Sequence, residues 1–323
     1  MLLAVPFSGA ASSTAVGAAS GGGRGSLGIR LLEAPVIRKH DPRARIYVVD
    51  HLTPGTTITR RMEVTNVSAS PRRVELYAAA ARIEHDRFVF APEGTPNELT
   101  TWTSLDHPKV DLAPHGNGVV KVTIRVPKSA WRGEQYAVIW AQEAVKPNAS
   151  HNLGEINRVG IRVYLDIGPG GEPPSDFQIE KLTPMRDGAG RPEIVAQINN
   201  TGGRALDMSG TLSLSDGPGG LNAGPFAATT GVTLRPGDTA PVTVVLDKRV
   251  PAGPWKVRLS FASGLVKRNV SATITFPASG IGKSQTMGFH LPIRVLLIGL
   301  MILVPSGVLI VLGRRYRSRA RSR

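Results

Sequence analysis

The chain has 323 residues, a formal charge of +15, 36 Gly, 25 Pro and no Cys. That length allows about two domains, and the absence of Cys excludes both a disulfide-stapled ectodomain and a thiol nucleophile. Six positive charges (Arg314, Arg315, Arg317, Arg319, Arg321 and Arg323) fall in the last ten residues. Taking these six from +15 leaves +9 scattered upstream, so no basic patch for nucleic acid is indicated.

Residues 1–26 open with MLLAVPFSGAASSTAVGAAS, which has the small residues of a signal-peptide cleavage site but no basic start. The stretch is read as a signal-peptide-like or disordered leader. From Leu27 to Ile167 the sequence alternates with a period of two. Ile58, Met62 and Val64 oppose Thr59, Arg61 and Glu63, and Val120, Val122 and Ile124 oppose Lys121 and Thr123, the signature of half-buried strands. Further strands are predicted at 46–50, 73–84, 88–90, 109–112, 134–143 and 157–167. With turn chemistry such as Pro54-Gly55 between them, they predict an immunoglobulin-like sandwich.

The Gly/Pro run at 168–175 cannot continue a sheet and reads as a linker. A second sandwich is predicted over 176–276, with strands at 177–182, 192–200, 208–215, 241–246, 255–261 and 266–276. The two units share a phrase: Leu112, Pro114, Gly116, a strand, Val126-Pro127 and Trp131 recur as Leu234, Pro236, Gly237, a strand, Val250-Pro251 and Trp255. Asn66 and Asn200 likewise each close a strand, which implies two copies of one topology.

Residues 277–290 read as a polar stalk. Its Gly280-Ile281-Gly282-Lys283-Ser284 is not a P-loop, because Pro277 stands where the first Gly belongs. Val295 to Leu312 is free of charge and as a helix spans about 27 Å, so 291–312 is predicted to cross a membrane once. The basic tail at 313–323, with Arg314, Arg315, Arg317 and Arg319 nearest the span, keeps that end cytoplasmic and places the domains outside a cell membrane. The fold class expected is therefore all-β: two tandem immunoglobulin-like sandwiches followed by one C-terminal transmembrane helix.

No catalytic constellation is apparent. The seven His occur singly without HExxH, there is no Gly-x-Ser-x-Gly elbow, and Asp106 with Asp111, or Glu84 with Asp86, read first as charged turn residues. No metal or cofactor is implied. Trp102 in the polar loop TPNELTTWTS, with Asn97, Trp131 and Tyr136, offers aromatic faces for a glycan. Arg60 and Arg61, with Arg72 and Arg73, offer charge to an anionic polymer. Trp140, in YAVIWA, reads as core.

The phrases YVVDHLTPGTTITRRMEVTN, RRVELYAAAA, VVKVTIRVP and GEQYAVIWA resemble the N-terminal domain of WxL-interacting proteins of Gram-positive bacteria. The resemblance implies peptidoglycan contact by the first domain, a surface-protein partner for the second and a C-terminal membrane anchor. It yields the leading expectation: a non-enzymatic, membrane-anchored surface scaffold whose first domain contacts cell-wall glycan or an anionic wall polymer. Two alternatives stand beside it, a chaperone-like envelope assembly factor acting by β-strand addition and a membrane-tethered hydrolase.

Overall fold

The computed structural model describes residues 26–92, 94–145 and 155–287. The predicted leader, membrane span and arginine tail lie outside the described residues. Among the described residues, no helix is long and apolar enough to cross a membrane.

The protein is all-β, as the period-two alternation requires. The first domain contains β1 (Leu27–Leu31), β2 (Val48–Leu52), β3 (Thr57–Asn66), β4 (Arg72–Glu84), β5 (Arg87–Phe90), α1 (Glu98–Thr101), β6 (Thr103–Leu105), β7 (Lys109–Leu112), β8 (Asn117–Arg125), β9 (Gly133–Val145) and β10 (Glu155–Ile167). One sheet runs β1-β3-β8-β6 and the other β2-β10-β9-β4-β5, with β7 also on β4. Their facing sides bury Met62, Val122, Ile124, Ile139, Ile161 and Leu165 between them. Alternate residues of β8 are buried (Val120, Val122, Ile124) while Lys121 and Arg125 face water, the pattern read from the sequence.

The first strand of the sandwich is divided between its sheets. β1 pairs antiparallel with β3, from Leu27 opposite Asn66 to Leu31 opposite Met62. The chain then makes two 3-10 turns, Val36–Arg38 and Arg43–Arg45, and re-enters as β2, parallel to β10 from Val48 opposite Val163 to Leu52 opposite Ile167. This crossing leaves the outer edge of β10 covered only from Val163 onward. Among the described residues, no strand pairs with the outer edge of Glu155–Arg162.

The second domain contains β11 (Phe177–Arg186), β12 (Pro192–Asn200), β13 (Leu206–Asp207), β14 (Ser209–Ser215), β15 (Ala223–Ala227), β16 (Thr233–Leu234), β17 (Thr239–Val245), β18 (Gly253–Ser263), β19 (Val266–Phe276) and β20 (Gln285–Thr286). Sheets β17-β12-β11-β20 and β15-β14-β18-β19 flank a core of Phe177, Trp255, Phe261 and Phe276, and β13 pairs with β16 as a separate ribbon.

The strands β1, β6, β13, β15, β16 and β20, two to five residues long, are absent from the sequence reading. The predicted stalk also needs correcting at its start. Ile281 bridges Met185, β20 pairs with β11, and the Met287 amide donates to the Glu180 carbonyl at 2.7 Å, so residues up to Met287 lie along the second domain.

Candidate functional site: an open sheet edge and a charged domain junction

β10 is 13 residues long and holds unbroken antiparallel register with β9. Its open half reads Glu155-Ile-Asn-Arg-Val-Gly-Ile-Arg162, without Pro, Lys or a bulge, the devices that usually close an edge against addition. Val159 and Ile161 pack toward the sandwich interior, where Ile29 of β1 joins them. The alternate residues, including Ile156 at 60% exposure, lie on the opposite face.

That opposite face is aromatic. Trp140 lies across from Gly160, and a Cβ at Gly160 would stand 2.6 Å from Trp140 Cε3, so only glycine admits the indole here. Phe90 packs edge-on to Trp140 at 4.8 Å, and Phe88, Tyr136 and Tyr164 continue the cluster with centroids 5.1–6.1 Å apart. Arg158 stacks 4.5 Å over Trp140, and Arg162 lies 4.8 Å over Phe88. Arg158 has no carboxylate partner among the described residues. Trp140 is core as expected at 7% exposure, but its Nε1 is buried without an acceptor.

Below the half of β10 closed by β2, the two domains meet in a network of buried charge. Arg204, 1% exposed, donates from Nε to Glu134 at 2.8 Å, from Nη1 to Glu172 of the linker, and from Nη2 to the Tyr164 and Asp50 carbonyls. Glu134 also accepts from the Ala205 amide at 2.7 Å and the Tyr136 hydroxyl at 3.0 Å. Asp207 accepts from Arg43 at 2.6 Å, Tyr164 at 2.8 Å, Thr233 at 2.9 Å and Arg162 at 3.2 Å. Burial pushes the Asp207 carboxyl up, but the Arg43 and Arg162 charges and the hydrogen bonds outweigh it and hold the group below the ordinary aspartate range. Burial pushes the Tyr164 and Tyr136 phenols well above the usual tyrosine value, so both stay neutral donors. Burial also raises Asp50, against the pull of Arg60.

This network was not legible in the sequence. Its members sit in seven separate segments, and Arg43 and Asp207 are 164 residues apart.

The structure places the sequence-predicted ligand residues elsewhere and gives them other work. Asn97 is the N-cap of α1: its Oδ1 accepts from the Thr100 amide at 3.0 Å and its Nδ2 donates to the Tyr136 carbonyl at 2.8 Å. Trp102 closes α1 at its other end and packs against the core of the first domain. Trp131 is 74% exposed, apart from that packing, and Tyr136 belongs to the junction cluster. Arg60 grips Asp50 with two nitrogens at 2.7–3.1 Å, and Arg61 meets Glu33 at 3.2 Å. Arg72 pairs with Glu143 and Arg73 with Asp111 at 2.7 Å. The paired carboxylates weighed for hydrolysis are also engaged: Asp106 accepts from the Lys121 amide and Glu84 from Arg82. Among the described residues, no group of acidic or His side chains is placed to hold a metal.

No known family model and no curated protein matches the chain, so the resemblance to WxL-interacting proteins rests on the sequence phrases alone. Solved structures do match in fold. A chain of the Salmonella enterica SafA pilin–SafB chaperone complex is similar at 11% identity and a TM-score of 0.41, covering 78% of this chain and 99% of that one. The Escherichia coli chaperone DraB is similar at 14% identity and a TM-score of 0.37, covering 76% and 95%. The Pseudomonas aeruginosa CupB2 chaperone is similar at 14% and 0.36, covering 72% and 97%.

The leading expectation is corrected by the side chains themselves: the Asn, Trp and Arg residues assigned to wall glycan or anionic polymer are, Trp131 apart, committed to caps, core and ion pairs.

Proposed function

We propose that this protein is a chaperone-like envelope assembly factor that takes an extended segment of another exported polypeptide as an added strand. The observation that carries the reading is the open edge of β10 from Glu155 to Arg162, which ends where β2 closes it at Val163. A strand edge exposes a row of unpaired amides and carbonyls, and a second chain satisfies them by pairing. The edge of β15 is less suited, since it carries Pro225 within its five residues. The charged junction fixes the second domain against the first through side-chain bonds from Arg204 and Asp207. The apolar run at 291–312 would hold the pair of domains at the outer face of a membrane. The role requires no cofactor and no bond-making chemistry.

A photo-crosslinking residue at position 156, in cells producing the full chain, tests this. The reading expects an adduct whose partner peptide maps to a β-strand segment of an exported protein, with the same label at Ser271 on β19 giving none. Adducts at both positions alike, or at neither, would overturn it.

A further inference from the structure

The open edge specifies the chemistry of the strand it takes, and this inference rests on the strand-addition reading above. Three features meet along it. Arg158 stands on its outer face, stacked on Trp140 and free of any carboxylate among the described residues. Gly160, two residues on, has no side chain, so the indole of Trp140 lies over the β10 backbone as a flat floor beside the incoming strand. The connection that delivers β2 carries three exposed apolar side chains, Val36 at 85%, Ile37 at 83% and, two residues before β2 begins opposite Val163, Ile46 at 48%. That connection is fixed, not loose: Arg38 binds Asp41 and Glu172, Arg45 donates to the Lys39 carbonyl, and Arg43 reaches Asp207 and the Ala205 carbonyl.

We infer that the partner is an extended segment of another polypeptide, acidic at the outward position facing Arg158 and continuing into apolar residues that land on Val36, Ile37 and Ile46. The acid follows from charge: a guanidinium stacked on an indole and lacking a counter-ion gains most from a carboxylate brought alongside it. The apolar continuation follows from geometry. β2 occupies the edge from Val163, so an added strand must leave the sheet there, beside the connection that ends in Ile46-Tyr47.

The test uses the full chain in detergent micelles and three labelled ten-residue peptides. The first alternates Val and Glu and ends in Leu-Phe, the second replaces Glu by Lys, and the third scrambles the first. The inference expects the Glu peptide to bind roughly tenfold more tightly than the Lys peptide, and Arg158→Glu to invert that order. Val36→Asp with Ile37→Asp is expected to weaken the Glu peptide severalfold while removal of its Leu-Phe has no further effect in that variant. Strand addition with no preference between Glu and Lys, or a preference that survives Arg158→Glu, would overturn this inference and leave the strand-addition reading standing. Failure of all three peptides to bind, with crosslinking at position 156 also absent, would remove both. Equal binding of the scrambled peptide would show plain charge attraction and also overturn the inference.

Discussion

Replacing Arg204 by Met tests whether the two domains are held by the buried charge network. Arg204 is 1% exposed and its side chain satisfies Glu134, Glu172 and two backbone carbonyls. Met fills much of the volume but donates nothing, so Glu134, itself 3% exposed at the side chain, is left with only the Ala205 amide and the Tyr136 hydroxyl as donors. Removing one partner of a buried pair costs about 3 kcal/mol, because the other charge stays desolvated. For a chain of this size that is about 4–5 °C in Tm. The companion Glu134→Gln and the double variant complete a cycle, and the coupling between the two positions is expected to exceed about 1 kcal/mol. Thermal unfolding of the full chain in micelles, followed by circular dichroism, reads all four proteins. A loss below about 1 kcal/mol for Arg204→Met, or purely additive effects, would refute the claim that this pair fixes the junction.

Three further outcomes follow from the same structure. Asn66→Ala and Asn200→Ala each leave two backbone carbonyls without their donor and are expected to cost about 2 kcal/mol, read as a lowered denaturation midpoint. Asp207 has a folded pKa below its unfolded value, so its contribution is complete above the ordinary aspartate pKa and is lost as pH falls through the depressed one. Asp207→Asn should therefore flatten the acid limb of the stability–pH curve below about pH 4, and an unchanged limb would count against the network. Gly160→Val drives a Cβ to 2.6 Å from Trp140 and should lower Tm by several degrees, whereas Trp131→Ala, at an exposed site, should change it by less than about 1 kcal/mol equivalent.

The parts of the fold that could be read from sequence are those built from long local patterns. β3, β4, β8 and β10 each carry enough alternation to fix their faces, and the internal repeat proves structural. Asn66 donates to the carbonyls of Ser70 and Ala113, and Asn200 to those of Arg204 and Leu234, the same bracket in both domains. The repeat also shows its limit: Trp131 is 74% exposed while Trp255, at the matching place, is 1% exposed and packed on Gly217. Neighbouring residues decide burial there, and the shared phrase does not contain them. The arginines misled for a related reason. Arg61 faces outward in the period-two pattern while Arg60 and Arg72 fall on the opposite parity, yet each finds a carboxylate on another segment, and that pairing is a property of tertiary distance. The open edge depends on the first strand leaving one sheet for the other between Leu31 and Val48. No local signal marks a crossing whose second half is a five-residue parallel pairing with a strand more than a hundred residues away.

Hydrogen–deuterium exchange of the full chain, read peptide by peptide with and without the Val/Glu peptide, tests strand addition most directly. The account predicts that amides between Ile156 and Arg162 exchange faster than those of β9 in the free protein and become protected on binding, with protection stopping where β2 begins at Val163. Protection over the Asn97–Ser104 loop or along β19, with β10 unchanged, would contradict it.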